Sequence, residues 1–248
     1  MIDLRPLRRL VITLDAENYS GRDLDGQGDI QTGIAQVLHA AGAEQRMHGL
    51  DWDRQPQGDA VLAVLPPGAV EAEAVSDFIG ALYTALHHHN RSRNEAYRLR
   101  VRASVDQGNI ARADSGFAGN AVVSACRVRD SDLLRDMLRT NPHADLVVAV
   151  SDSVYTDVVA HGDHELYRWS FEPALVEAKN GFSARVWVHV PEAPNDTREP
   201  HDSTPSDDRG RAASITFEKG VDARGSQGAN FGSVEGDLNN RFGAPPSL

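Results

Sequence analysis

The arrangement of apolar residues along the chain restricts its fold more than any other feature. Short runs of branched apolar residues alternate with longer segments in which apolar residues recur every three or four positions. The run from Leu10 to Leu14 is typical of the first kind and predicts a buried strand. The segment from Asp29 to Ala41 is of the second kind, because its apolar residues fall on one face of a helix. This alternation predicts a mixed sheet with helices packed on it.

Further elements follow from the same patterns. Strands are predicted at Gln45 to Trp52, Ala60 to Leu65, Tyr97 to Val105, Leu146 to Val150, Tyr167 to Phe171 and Ala184 to Val190. Helices are predicted at Val70 to Asn90, Asn120 to Arg139 and Asp152 to Ala160. The polar segment from Asp53 to Asp59 is predicted to be a hairpin connection, and the glycine-containing segment from Asp106 to Gly119 a loop. In the Tyr97 to Val105 strand, arginines alternate with apolar residues, which predicts one solvent-facing side.

The pattern ends after Val190. Residues 191–248 contain seven glycines and six prolines with few large apolar side chains. Such a composition does not offset the entropy lost on folding. We therefore expect an ordered domain over residues 1–190 and a flexible tail over residues 191–248. Two tail segments with some strand character, Ser214 to Phe217 and Asn230 to Val234, are candidate contacts with an effector protein or a second copy of the chain.

Charge and cysteine content restrict the partners and the compartment. The chain has 25 basic and 36 acidic side chains, a formal net charge of -11. An acidic protein has no general attraction to nucleic acid or to anionic membranes, so neither is an expected partner. No apolar run approaches the roughly 20 residues that cross a bilayer, and the lone cysteine, Cys126, excludes an intrachain disulfide framework. The expected location is the cytoplasm.

Three short patterns place chemically active residues on these predicted elements. Asp15 ends the first strand and is followed four residues later by Tyr19 and then Ser20. Gly58 and Asp59 precede the Ala60 strand, and a glycine-containing segment precedes the helix that carries Arg127. Singly, such an aspartate is commonly a turn or cap residue and such an arginine a solvated helix residue.

Together and in this order, the three patterns resemble the class III nucleotidyl cyclase homology domain over Arg9 to Val190. The resemblance implies a ferredoxin-like α+β catalytic domain that acts as a homodimer on a nucleoside triphosphate. It implies that Asp15 and Asp59 bind two Mg²⁺ or Mn²⁺ ions, since hard cations prefer carboxylate oxygens. It assigns Arg127 to the α-phosphate in the transition state and Lys179 to a further phosphate contact.

The resemblance also implies a set of substrate contacts. The loop containing Ala16, Asn18, Tyr19 and Ser20 is expected to hold the β- and γ-phosphates through backbone amides. Gln55 and Gly116 occupy the positions at which adenylate-type enzymes of this family recognise the base with lysine and aspartate.

The sequence departs from the family pattern at the ribose and at the base. Val123 stands where an asparagine orients the ribose in active purine cyclases, and valine has no polar side-chain group. Gln55 and Gly116 give no support for adenine recognition of the usual kind. Two explanations stay open: cyclisation of another base, as in the pyrimidine cyclases of bacterial anti-phage signalling, or a catalytically silent module that binds a nucleotide or a protein in a signalling or defence system.

Overall fold

The computed structural model describes residues 5–42, 52–161, 170–178 and 181–191. Within them, eight strands form one mixed sheet in the order β2-β3-β1-β4-β6-β8-β7, with β5 paired to β4. The strands are β1 (Leu7–Ala16), β2 (Asp53–Gln57), β3 (Ala60–Val64), β4 (Val101–Ala113), β5 (Gly116–Ala118), β6 (Leu146–Ser151), β7 (Glu172–Ala178) and β8 (Phe182–His189). The helices are α1 (Leu24–Gly42), α2 (Glu71–Asn90), α3 (Asn120–Arg129), α4 (Asp132–Thr140) and the short α5 (Asp152–Val154), which continues into a π-helical turn at Tyr155–Val159.

The helices cover both faces of the sheet. On one face α1 and α2 bury Ile34, Phe78 and Ile79 against alternate residues of the central strands. On the other face α3 packs against β1, β3 and β4, and α4 packs against β6 and β8. Because successive side chains of a strand point to opposite faces, odd-numbered residues of β1 and even-numbered residues of β4 face α3 and α4.

Small residues hold α3 close to the sheet and parallel to β1. A Cβ on Gly108 of β4 would lie 3.1 Å from the Cβ of Ala121. One helical turn later, the hydroxyl of Thr13 donates to the carbonyl oxygen of Ala125 at 3.4 Å. A further turn brings Arg129 level with Asp15, which follows Thr13 by two residues on the same face.

Most predicted elements are present. The strands from Leu10, Ala60 and Leu146 and the helices over Asp29 to Ala41 and Val70 to Asn90 are confirmed, each within a few residues. The strand predicted at Gln45 to Trp52 lies almost wholly outside the described residues. Of the strand predicted at Tyr167 to Phe171, only Ser170 and Phe171 are among the described residues, and they directly precede β7, which begins at Glu172.

The prediction of a connection over Asp53 to Asp59 was wrong. Asp53–Gln57 forms strand β2, and the turn is confined to Gly58 and Asp59. Polar residues and Pro56 mislead sequence reasoning here because β2 lies at the end of the described sheet. A strand in that position tolerates proline and exposed polar side chains.

The prediction of a loop over Asp106 to Gly119 was also wrong. β4 continues to Ala113 and turns back through β5. The N-terminal half of β1 supplies the missing partner, since Leu7 pairs with Ile110 and Arg9 with Gly108. Gly108 therefore marks the close approach of α3 rather than a break in the strand.

The helix predicted over Asn120 to Arg139 is two helices. α3 ends at Arg129, and Ser131 caps α4 by accepting a hydrogen bond from the amide of Leu134 at 3.3 Å. A serine at this position offers the backbone an alternative to continuing the helix.

No helix among the described residues is long and apolar enough to span a lipid bilayer. The tail predicted over residues 191–248, including both of its strand-like segments, lies outside the described residues apart from Pro191.

Candidate active site

Asp15 and Asp59 lie at the same end of two neighbouring strands. Asp15 is the penultimate residue of β1, and its Cα partner is Ala60 at the start of β3. Asp59 immediately precedes Ala60, and its carbonyl oxygen accepts a hydrogen bond from the amide of Ala16 at 3.2 Å. The antiparallel pairing of β1 and β3 therefore brings the two acidic residues together.

Asp15 is buried and already has a cationic partner. Arg102 of β4 is its Cα partner across the strands, and Nη2 of Arg102 donates to Oδ2 of Asp15. Burial raises the pKa of the Asp15 carboxyl, the charge of Arg102 opposes that rise, and the charge of Asp59 adds to it. The effect of Asp59 on the pKa of Asp15 agrees with the closeness of the two carboxylates.

Two buried arginines beside Asp15 have hydrogen-bond donors that find no acceptor in the described part of the chain. Arg129 forms a two-pronged ion pair with Asp130, at 2.8 and 3.0 Å, but its Nη1 has no partner among the described residues. Nε and Nη1 of Arg102 are likewise buried and without partners there. Side-chain exposure is only 10% for Arg102 and 8% for Arg129. Because unpaired buried donors are costly, this arrangement is suited to an anionic ligand.

An open cleft of about 910 Å³ is lined by Asp59 and by Arg102, the ion-pair partner of Asp15. Its size is within the range of small-molecule binding sites. The cleft is lined by the loop after β1, by the turn before β3, by Arg102 and by one side of α4. The lining residues are Ala16, Glu17, Asn18, Tyr19, Ser20, Asp59, Arg102, Arg135, Asp136 and Arg139.

The backbone amides of the loop after β1 fall into two groups. Those of Ala16 and Glu17 donate to the carbonyl oxygens of Asp59 and Arg100 and extend the sheet. Those of Asn18, Tyr19 and Ser20 have no acceptor among the described residues. Asn18 has a φ of 60°, a left-handed conformation that asparagine tolerates. The loop thus presents three of its predicted anion-binding amides, and Ala16 contributes to the cleft only as a lining residue.

Arg127 is not in this cleft. It is exposed on α3, with its guanidinium carbon 5.1 Å from the ring centre of Phe182. Val123, one turn earlier on the same helix face, is 47% exposed. Lys179 lies outside the described residues. One chain therefore brings together Asp15, Asp59 and the loop, and it places Arg127 on a different surface.

Gln55 and Gly116 are in direct contact. The side-chain amide of Gln55 donates to the carbonyl oxygen of Ser115 at 3.2 Å. A Cβ on Gly116 would lie 2.3 Å from Oε1 of Gln55, so any other residue here would require the Gln55 side chain to move. Gly116 also has a φ of 140°, which disfavours other residues.

Solved structures with the same architecture identify the fold. An adenylate/guanylate cyclase/hydrolase from Silicibacter pomeroyi matches 75% of this chain and 99% of its own, with a TM-score of 0.52 and 21% identity. A bacterial light-regulated adenylyl cyclase matches 74% of this chain and 90% of its own, with a TM-score of 0.52 and 13% identity. The chain has the class III nucleotidyl cyclase fold. No protein-family model and no curated protein matches the chain. The predicted class III cyclase architecture, a mixed sheet with packed helices, is confirmed.

Within this cyclase fold, the acidic residues suit a divalent ion that is also bound by substrate. The described residues contain no group of three or more His, Cys, Asp or Glu side chains that could hold an ion alone. Asp59 supplies hard carboxylate oxygens in the lining of the cleft, and Asp15 supplies them next to Arg102, which also lines it. Mg²⁺ commonly binds through one or two carboxylates plus substrate phosphates and water. The donor set therefore fits such an ion in the presence of a phosphorylated ligand.

Four arginines of this chain that lie in or beside the cleft were not predicted to belong to the site. Arg102 was assigned to a solvent-facing side of β4, and Arg129, Arg135 and Arg139 were treated as residues of one long helix. The prediction of a wet face was wrong. Arg102 of β4 is buried against Asp15. Arg98 and Arg100, just before β4, donate to backbone carbonyl oxygens of the segment after α4. A signal was present: arginine at every second position of a strand in an acidic protein also predicts a row of specific ion pairs.

Proposed function

We propose that this protein is a divalent-ion-dependent nucleotidyl cyclase, which converts a nucleoside triphosphate to a 3′,5′-cyclic nucleotide and pyrophosphate. The observation that carries the proposal is the placement of Asp15 and Asp59 at the ends of two paired strands, with Asp59 in the lining of an open cleft. The cyclase fold supports it. Further support comes from Nε and Nη1 of Arg102 and from the loop amides beside the acidic pair, which have no partner among the described residues.

The chemistry joins the ribose 3′ oxygen to the α-phosphorus and breaks the bond between that phosphorus and the bridging oxygen of the β-phosphate. Pyrophosphate carries away the electron pair, and the 3′ hydroxyl proton passes to solvent. A bound Mg²⁺ or Mn²⁺ ion neutralises phosphate charge and lowers the pKa of the attacking hydroxyl. Asp15 and Asp59 would hold this ion, and the amides of Asn18, Tyr19 and Ser20 would orient the β- and γ-phosphates.

The active unit in this proposal is a homodimer. Arg127 is exposed and outside the cleft of its own chain, so it is available to the substrate of a second copy. A guanidinium placed there stabilises charge on the α-phosphate as it develops in the transition state. We assign Lys179 to the same substrate contact.

The base is proposed to be a pyrimidine. The Gln55 amide lies over Gly116 and is tied to Ser115, so it occupies space beside the turn that ends β4. An amide has both a donor and an acceptor to offer a base edge. Gln55 and Gly116 stand in place of the lysine and aspartate that recognise adenine in the family, which favours a base other than adenine.

Incubation of the purified protein with ATP, GTP, CTP or UTP and Mn²⁺ tests the proposal. We expect pyrophosphate and one cyclic nucleotide, identified by mass, from at least one pyrimidine nucleotide. Asp59→Asn should abolish the product and leave the melting temperature close to that of the wild type, because Asp59 lies in a turn. Full activity of this variant would exclude the assigned ion site.

A second candidate is a catalytically silent module that binds a nucleotide. Val123 offers no polar group at an exposed position where one is expected, and Asp15 is held in a buried ion pair. Binding of a nucleoside triphosphate with no product from any of the four would favour this candidate. In that case the tail is the proposed contact for an effector protein.

A further inference from the structure

We propose that Arg135 and Arg139 of α4 bind the terminal phosphates of the nucleotide, in the same chain that supplies Asp15 and Asp59. The inference rests on the proposed function and adds phosphate contacts that neither the motifs nor the loop after β1 provides. The ligand class is a linear polyphosphate chain of three phosphates, carried by a nucleoside or free.

The first support is position. Arg135 and Arg139 are four residues apart, so they occupy one face of α4. Both line the cleft that Asn18, Tyr19 and Ser20 line from the loop after β1. A polyphosphate in this cleft would have backbone amides and guanidinium groups within reach.

The second support is that the present partners of these arginines are exchangeable. Arg135 pairs with Asp132 at 3.0 Å, and Arg139 pairs with Asp136 at 2.9 Å. Exposure is 52% and 92% in the first pair and 71% and 63% in the second. Exposed ion pairs contribute little stability, whereas a phosphate offers an arginine several charged acceptors in a two-pronged geometry. Phosphate can therefore replace the aspartates.

The third support comes from a buried side chain in the same cleft. Arg102 is 8% exposed, yet two of its donors have no acceptor among the described residues. These donors belong to β4 and not to α4, and they indicate a second place for an anion, on the side of the cleft formed by the sheet. Arg102, Arg135 and Arg139 together make the cleft a site for more than one phosphate, although the chain as a whole is acidic.

The fourth support is that α4 is fixed in place. Arg100, immediately before β4, donates through Nη2 to the carbonyl oxygens of Leu138 and Asn141, at the end of α4. Its Nη1 donates to Glu17 in the loop after β1 at 2.6 Å. One side chain thus joins the two walls of the cleft. A wall held in this way lowers the entropic cost of ordering its arginines around a ligand.

Calorimetric titration of the full chain with inorganic tripolyphosphate, in the presence of Mg²⁺, tests the inference. For R135Q/R139Q we expect the dissociation constant of tripolyphosphate to rise at least tenfold over the wild type.

A second set of titrations uses the four 3′-deoxynucleoside triphosphates, which cannot be cyclised. A greater affinity for one of them than for tripolyphosphate assigns the site to nucleotides rather than to free polyphosphate. Affinity for the matching nucleoside monophosphate should change less than threefold in the double variant.

Matched variants separate a phosphate contact from a general effect of charge. Arg112 is 54% exposed, pairs with Asp53 and lies outside the cleft lining, so R112Q should leave the tripolyphosphate constant within twofold. D136N removes the carboxylate that competes for Arg139 and should tighten binding. Circular dichroism establishes that each variant keeps its helices.

Several outcomes would overturn the inference. The first is that R135Q/R139Q binds tripolyphosphate as tightly as the wild type. The second is that R112Q weakens this binding as much as R135Q/R139Q does. The third is that the wild type does not bind tripolyphosphate. Cyclisation by a double variant with unchanged affinity would reject this inference and keep the proposed function. If tripolyphosphate binding depends on Arg135 and Arg139 but no cyclic nucleotide forms, the inference is kept and the proposed function is rejected.

Discussion

Asp15 and Arg102 face each other directly across β1 and β4, and Nη2 of Arg102 donates to Oδ2 of Asp15. Both side chains are almost fully buried. A buried charge without its partner is far less stable than the pair. This ion pair therefore links the integrity of the sheet to the carboxylate that is proposed to bind the ion.

Removal of Arg102 should destabilise the domain strongly. Arg102→Met leaves the Asp15 charge buried without its partner, and we expect the free energy of unfolding in urea to fall by about 3 to 5 kcal/mol. Asp15→Asn/Arg102→Met removes both charges and should lose less than the sum of the two single variants. Additive losses, within about 0.5 kcal/mol, would contradict a direct interaction.

Arg100 should be required for the order of α4. Arg100→Met removes hydrogen bonds to the end of α4 and to Glu17, so we expect faster amide hydrogen exchange across α4. The expected loss of unfolding free energy is about 1 to 3 kcal/mol. Arg112→Gln, an exposed change within β4, is the control. Unchanged exchange in α4 would show that packing of Leu134 and Leu138 suffices.

Restoring a polar group at position 123 should raise turnover. Val123 is 47% exposed on α3, and valine and asparagine have similar helix propensities, so Val123→Asn should keep the fold. One added orienting hydrogen bond in the transition state corresponds to an increase in kcat of about tenfold. Val123→Ala controls for the loss of the branched side chain. Equal rates for the asparagine and alanine variants would mean that the ribose does not contact this position.

His89 gives the stability of the domain a defined pH dependence. Burial between α1 and α2 lowers its pKa, and the charge of Arg93 lowers the pKa further. The unfolded chain takes up a proton at His89 near pH 6.5, whereas the folded chain does so only at lower pH. Stability is therefore lost as the pH falls below about 6.5 and is unaffected by this group above it.

Urea unfolding of the wild type and of His89→Gln at pH 7.5 and pH 5.5 tests this dependence. The wild type should lose more stability between the two values than His89→Gln does. His88→Gln, at the exposed neighbouring position, should behave as the wild type. A wild-type dependence as shallow as that of His89→Gln would show that His89 titrates alike in both states.

The elements that the sequence predicts well are those whose apolar pattern is continuous. Leu10 to Leu14 and Leu146 to Val150 are buried on both sides, so their composition alone predicts strands. Strand β2, at the end of the described sheet, was not predicted because its pairing with β3, and not its composition, makes it a strand. The extension of β4 past Asp106 likewise depends on a partner about 100 residues earlier in the chain, which local patterns do not reveal.

The same limit applies to the candidate site. Asp15 and Asp59 were predicted from motifs, and the sheet register places them together. The partners of Arg100 and Arg102 were not predicted, because alternation along a strand indicates which residues share a face but not what covers that face. The partners come from loops and helices distant in sequence, and only the folded structure brings them into contact.

The break between α3 and α4 makes the direction of α4 sensitive to chain length. Asp130 and Ser131 alone separate the two helices, and α3 is fixed on the sheet through Ala121 and Ala125. Each residue added to a helix turns everything beyond it by about 100°. A single insertion that lengthened α3 before Asp130 would turn Arg135 and Arg139 out of the cleft without altering any residue that lines it. The number of residues between α3 and α4 therefore matters to the site as much as the side chains that line it.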